Sequence, residues 1–200
     1  MILFYDTETT GLPNFRERSD HESQPHIVQL AMLLCDDDGT EREAHNVIVR
    51  PDGWEISEEV TAIHGISQER ARAEGIREAD AAALFVSARA QSDLRVAHNE
   101  SFDARIMRIA MLRAGFVRPF VDLLENLPAY CTCRIATPIV NLPPSERMAA
   151  KGMMRPKPPK LTECIGHFFQ EELPGAHDAM VDVRACARVY FHLRNMEKAA

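Results

Sequence analysis

The sequence predicts an α/β fold of five strands flanked by helices, and three observations predict it. The first fifty residues hold three apolar runs joined by short polar connections, which is the pattern of an antiparallel meander. Two later apolar runs, at 94–97 and 130–132, each lead into a segment of helical spacing, as strand–helix units do. A long helix-period segment then follows from residue 178.

Composition bounds the reading. Two hundred residues, 46% hydrophobic and 26% charged, suit one domain with a sizeable core, expected to span 1–200. No apolar run approaches membrane length, and no basic region precedes an apolar segment at the amino terminus, so a cytoplasmic chain with no membrane partner is expected. The five cysteines (35, 131, 133, 164, 186) form no disulfide framework and are expected as reduced thiols. Cys131 and Cys133 are too close together for a zinc knuckle. A formal charge of −7 excludes a protein that grips long nucleic acid through a broad basic surface. It leaves open one that binds a short end in a metal-loaded cleft, where bound cations supply the local positive charge.

In the first strand, residues 1–8, side chains alternate faces, so Ile2, Phe4, Asp6 and Glu8 share one side and Leu3, Tyr5 and Thr7 the other. One face thus begins as core and ends as two acids at the carboxyl end, where open α/β sheets place ligands. Adjacent carboxylates repel unless a cation or shared proton relieves them. A divalent metal is one reading of the pair, and a strand running out into solvent is the other. Residues 12–24 read as an exposed loop, 25–35 as a second strand, and Asp36-Asp37-Asp38-Gly39 as a hairpin turn rather than a metal site. The third strand is expected over 44–49.

Ser57 is placed to cap a short helix ending at His64-Gly65, and Ser67 to cap another short turn. Residues 79–90 are helix-period with Leu84, Phe85 and Ala88 inward. After the fourth strand, at 94–97, Ser101 is expected to cap a helix over 102–114 that Gly115 ends, with Asp103 in its first turn. Residues 130–132 read as an edge strand and 134–140 as a brief helix. The stretch 142–160, with five prolines and four basic residues before Lys160, is expected to hold no regular element. A helix over 161–169, a turn at 174–177 and the longest helix over 178–196 complete the chain, the last with Met180, Val183, Ala187 and Tyr190 inward.

Four acids stand at suggestive places: Asp6 and Glu8 at the end of the first strand, Asp103 at a helix start, and Asp182 in the second turn of the last helix. An acid among the apolar neighbours Ala179 and Val183 is costly unless paired. Four converging carboxylates can share two divalent ions, Mg²⁺ or Mn²⁺, of the kind that cleave phosphodiesters.

Three motifs taken together, Phe4-x-Asp6-x-Glu8-Thr9-x-Gly11, His98-Asn99-x-x-Phe102-Asp103 and His177-x-Ala179-x-x-Asp182, resemble those of the DEDDh 3′–5′ exonucleases, the family of polymerase proofreading subunits and related nucleases. Their order and spacing match from residue 4 to 182, and Val60-x-x-Ile63-His64-Gly65-Ile66 resembles a further family segment. The resemblance implies a ribonuclease H-like fold: a mixed five-stranded sheet, a three-strand antiparallel meander plus parallel strands, flanked by helices. It implies that Asp6, Glu8, Asp103 and Asp182 are metal ligands and that His177 is the general base, a role suited to an imidazole titrating at about 6.5. It implies that Thr9, Thr10, Gly11 and Leu12 hold the terminal nucleotide, with Leu12 wedged between the last two bases, and that His64, Asn99 and Phe102 contact it. Plain core packing is the other reading of Phe102. His98 reads as a structural hydrogen-bonding residue, and Asp178 as an acid that favours the helix dipole rather than a ligand.

The implied activity is release of nucleoside 5′-monophosphates from the 3′ end of single-stranded or frayed DNA, with a polymerase or replication protein as partner. Oligoribonuclease-type action on RNA is the alternative, and a non-catalytic nucleic-acid-binding module is the alternative of another class. A di-iron protein would want paired Glu-x-x-His motifs on facing helices, which the sequence lacks. Lys151, Arg155, Lys157 and Lys160 in the proline-rich stretch are the candidate phosphate contacts.

Overall fold

The first strand, β1 (Ile2–Thr9), lies in the middle of the sheet, and its two faces explain the layers on either side. The computed structural model describes residues 1–199. β1 pairs antiparallel with β2 (Ile27–Cys35), which pairs antiparallel with β3 (Glu41–Ile48). On its other side β1 pairs parallel with β4 (Leu94–Ala97), and β4 pairs parallel with β5 (Ala129–Cys131). The order β3-β2-β1-β4-β5 is the mixed sheet expected, with the meander and the parallel strands meeting at β1.

The period-two pattern of β1 sorts its side chains as anticipated. Leu3 and Tyr5 face a layer containing α3 (Glu78–Ala90) and α4 (Glu100–Arg113), among Phe85, Ala88, Ile106 and Met107. Ile2 and Phe4 face α9 (Ala179–Ala199), among Met180, Val183, Ala187 and Tyr190. β2 is buried along its whole length, as a strand covered on both faces is. Between β3 and α3, α1 (Glu58–His64) and α2 (Gln68–Glu74) carry their Ser57 and Ser67 caps as expected, the hydroxyls accepting from Val60 and Arg70 N–H. On the β5 side, α6 (Thr132–Val140) and α8 (Leu161–Phe169) pack on α9 through Ala136, Cys164, Ile165 and Val189.

Four expectations are corrected. The cap of α4 is Asn99 rather than Ser101: Asn99 sits in the left-handed region (φ 69), which asparagine tolerates, and Ser101 is already inside the helix. Thr132 begins α6 instead of ending β5. The proline-rich stretch holds one helical turn, α7 (Glu146–Ala149), capped by the Ser145 hydroxyl, because its prolines flank those residues and do not interrupt them. In α3 Phe85 and Ala88 are buried as expected, but Ala81 and Ala82 are buried with them and Leu84 is only partly so. A further helix, α5 (Arg118–Glu125), had no sequence expectation; Pro119 in its first turn suits a helix start. No helix among the described residues is long and apolar enough to cross a membrane.

Candidate active site

The acids gather where the fold brings β1, α4 and α9 together. Asp6 and Glu8 follow Phe4 on the α9-facing side of β1. Asp103 lies in the first turn of α4 and is 2% exposed. Its Oδ1 accepts from both the backbone N–H of Thr7 (3.0 Å) and the Thr7 hydroxyl (2.8 Å), which fixes the carboxylate against β1. Asp182 lies in the first turn of α9 rather than the second, because the helix begins at Ala179, one residue later than expected. Asp178 precedes it as the cap: its Oδ1 accepts from the N–H groups of Met180 (2.9 Å) and Val181 (3.3 Å), so its carboxylate is spent on the helix end.

His177 adopts a left-handed backbone (φ 73) in the turn before α9, and its N–H donates to Asp182 Oδ2 at 3.1 Å. One ring nitrogen of exposed His177 and one carboxylate oxygen each of Glu8 and Asp182 lie within 4.8 Å of one another. Gln29, opposite Glu8 on β2, accepts from Ala179 N–H at 3.3 Å and so docks the start of α9 on the sheet.

The electrostatics are those of a site built for cations. Burial, followed by the charges of Asp103, Asp182 and Glu8, holds the Asp6 carboxyl well above the usual carboxylate range. Burial, then Asp182 and Asp103, pushes Glu8 up to about 8. Burial raises Asp103 to about 7 against the lowering effect of its Thr7 hydrogen bonds. Asp182 is raised as well, chiefly by burial. Among the described residues no lysine or arginine pairs with any of the four, and Asp182 Oδ1 is buried with no hydrogen-bond partner. Oxygen donors of this kind, crowded and uncompensated, fit a hard divalent cation.

The remaining candidates divide. The Thr9 hydroxyl donates to Gly11 O (2.8 Å) and the Thr10 hydroxyl accepts from His26 N–H (3.0 Å), so both shape the loop after β1. Leu12, at 80% exposure, projects from that loop into solvent. Arg105 on α4 pins the loop by donating to Asn14 O (3.0 Å) and Glu17 O (2.9 Å). Asn99 and Phe102 flank the first turn of α4 beside Asp103, with Phe102 packed in part against the core. His64, at the end of α1, is outside the Glu8–His177–Asp182 group. Its Nδ1 accepts from Ile66 N–H at 3.1 Å, its Nε2 is buried without a partner, and burial lowers its pKa.

His98 is tied into structure. The Pro159 carbonyl can only accept, so Nε2 donates to it (3.0 Å), and Nδ1 of the neutral ring, its pKa lowered by burial, takes the Thr132 hydroxyl (3.0 Å). Lys157 is not free to hold a phosphate, since its ammonium grips both oxygens of Glu163 at 2.6 and 2.7 Å. Thr7, Gln29 and Arg105 had no sequence expectation. Only Gln29 carries a signal, as a lone polar residue inside an apolar strand.

The RNase_T exonuclease family matches the chain over residues 3–190. No curated protein matches it. Among solved structures, E. coli exonuclease I in complex with a dT13 oligonucleotide is similar with a TM-score of 0.74 at 21% identity, covering 99% of this chain and 42% of that one. The product-bound structure of exonuclease I gives 0.73 at 21% identity, covering 97% and 43%. The zinc-bound form of the E. coli ExoI–ssDNA complex gives 0.71 at 21% identity, covering 98% and 41%. The chain therefore spans less than half the length of these structures, and at this identity the likeness is one of fold.

Proposed function

The chain belongs to the RNase_T exonuclease family, and on that premise we propose that it is a 3′–5′ exonuclease acting on single-stranded or frayed DNA ends and releasing nucleoside 5′-monophosphates. The observation that carries the reading is the grouping of Glu8, Asp182 and His177 within 4.8 Å of one another, with the charges of Asp103 and Asp182 acting on both Asp6 and Glu8 and none of the four acids paired with a basic side chain among the described residues. Asp6, Glu8, Asp103 and Asp182 would hold two divalent ions, Mg²⁺ or Mn²⁺. When bound, such ions would acidify the attacking water and offset charge gathering on the leaving 3′ oxygen.

The chain's own groups supply the rest. A ring nitrogen of His177 takes the proton of the water that attacks the terminal phosphorus. The His177 N–H to Asp182 bond fixes where the ring enters the site. Thr7 keeps Asp103 in place, and the 3′ nucleotide sits against the loop from Thr9 to Gly11 with exposed Leu12 separating its base from the next. His64 would direct its unsatisfied Nε2–H at the same nucleotide, with Asn99 and Phe102 beside it. The single-stranded DNA in the exonuclease I structures supports DNA as the polymer.

Digestion of matched single-stranded DNA, RNA and mispaired-end duplex, with Mg²⁺ and with Mn²⁺, tests this. Loss of mononucleotides from the DNA strand and the mispaired end supports it. Preference for RNA would replace the substrate while keeping the chemistry, and inertness toward all three would end the proposal.

A further inference from the structure

The edge of the sheet that carries the acids continues into a groove of which the proposed chemistry uses only Asn99. β1, β4 and β5 run parallel, so the chain leaves all three at one edge, after Thr9, Ala97 and Cys131. Two strand spacings separate the first from the last, about 10 Å. At the β5 end a groove of about 570 Å³ opens between α6 and the segment 152–160, a volume of the size that holds a nucleotide-sized ligand.

One wall is Asn99 and Ser101, at the start of the helix that bears Asp103. Asp103 is four residues beyond Asn99, about 6 Å along the helix axis. The opposite wall is Pro156 and Pro158. Arg134 and Arg155 stand over the groove, both exposed, and neither has a carboxylate partner among the described residues. In a chain of charge −7, two uncompensated guanidiniums on one mostly apolar groove are a site complementary to a backbone phosphate flanked by sugar and base.

The segment forming the wall is anchored. Pro159 O accepts from His98 Nε2–H (3.0 Å) and from the Cys133 thiol (3.4 Å), and Lys157 N–H donates to Leu142 O (3.2 Å). His98 precedes Asn99, so the residue that fixes the groove's far wall adjoins the one that forms its near wall.

We propose that this groove is the subsite for the nucleotides upstream of the 3′ end, with Arg134 and Arg155 gripping their phosphates, so that the substrate is a single strand of several nucleotides rather than a dinucleotide. This rests on the nuclease reading and names the polymer length that reading leaves open. Of the phosphate contacts expected from the sequence, Arg155 is kept, Lys157 is set aside because Glu163 engages it, and Arg134 is added.

The test is hydrolysis and equilibrium binding of a length series of single-stranded DNA, from the dinucleotide upward, by wild type, the Arg134→Ala/Arg155→Ala double variant and Arg194→Ala. Arg194 lies on α9 by the opposite edge of the sheet, near Met1 and Leu94. For wild type, KM falls as the strand lengthens. In the double variant KM for long strands rises roughly tenfold per arginine, the salt slope of binding drops by about 1.4, and dinucleotide hydrolysis stays unchanged. Arg194→Ala leaves all three unaltered. Equal length dependence and salt slope in wild type and the double variant would overturn the groove assignment. If wild type cleaves nothing, the nuclease reading fails, and fluorescence anisotropy still decides the groove: weaker strand binding by the double variant supports it, and unchanged binding overturns it.

Discussion

The Asp182 carboxylate reaches back five residues to accept the His177 backbone N–H at 3.1 Å, while its other oxygen is buried with no partner. One acid thus has two parts to play in the proposed site: Oδ2 shapes the turn that carries His177, and unpartnered Oδ1 is the oxygen the proposal gives to a cation. Separating these functions is possible by substitution. Asp182→Asn keeps an acceptor for the His177 N–H but halves the carboxylate's capacity as a ligand. Its hydrolysis rate is expected to fall about a thousandfold or more, several kcal/mol of lost transition-state stabilisation, with an unchanged circular-dichroism spectrum. Wild-type turnover in this variant would remove Asp182 from the site.

His177→Ala is expected to separate proton transfer from cation binding. General-base contributions amount to about 100- to 10,000-fold, so the rate should fall within that range while Mn²⁺ affinity by calorimetry changes little. A Mn²⁺ affinity that collapses with the rate would make His177 a ligand instead.

Metal-free stability should depend on pH in an unusual direction. Glu8 titrates near 8 and Asp103 near 7 in the folded chain, and Asp6 and Asp182 are also raised, against about 4 for unfolded carboxyls. The folded state therefore binds more protons across that interval, and the contribution of these groups is full below pH about 4 and lost as pH rises through 7 to 8. In EDTA the melting temperature should drop between pH 5 and 8, and saturating Mg²⁺ or Mn²⁺ should flatten the drop. A melting temperature that rises over this window in EDTA would contradict the assignment of four uncompensated acids.

Thr7→Val removes one hydroxyl from buried Asp103 while keeping shape and the backbone N–H. A hydrogen bond to an ionised carboxylate is worth about 1.5–3 kcal/mol, so urea denaturation of the metal-loaded protein should show a loss of that order, with reduced kcat. Unaltered kcat would mean that the N–H alone positions Asp103.

Much of this architecture is legible in the sequence because it rests on local pattern. The period-two alternation of β1 and the helical spacing of α9 assign Phe4, Val183 and Tyr190 to one core and put Asp6 and Glu8 on the face that meets Asp182. The Ser57 and Ser67 caps follow from residue type alone. What escaped depends on partners far along the chain. Thr7 finds Asp103 across 96 residues and Gln29 finds Ala179 across 150, and no local pattern encodes either pairing. Ser101 and Asn99 are both capping types, and only the left-handed turn leaving β4 makes Asn99 the cap. The sequence offers Lys157 as a phosphate contact, and only the fold shows that Glu163, at the start of α8, pairs with its charge.

The most direct measurement is cleavage of a 5′-labelled single-stranded DNA with Mg²⁺ by wild type and Asp6→Asn, products resolved by length. Wild type should give a ladder of progressively shortened labelled strands together with unlabelled 5′-mononucleotides, and Asp6→Asn should leave the strand intact. A ladder of equal intensity from Asp6→Asn, or immediate release of the 5′ label as a mononucleotide by wild type, would contradict a 3′–5′ exonuclease built on the carboxylates of β1.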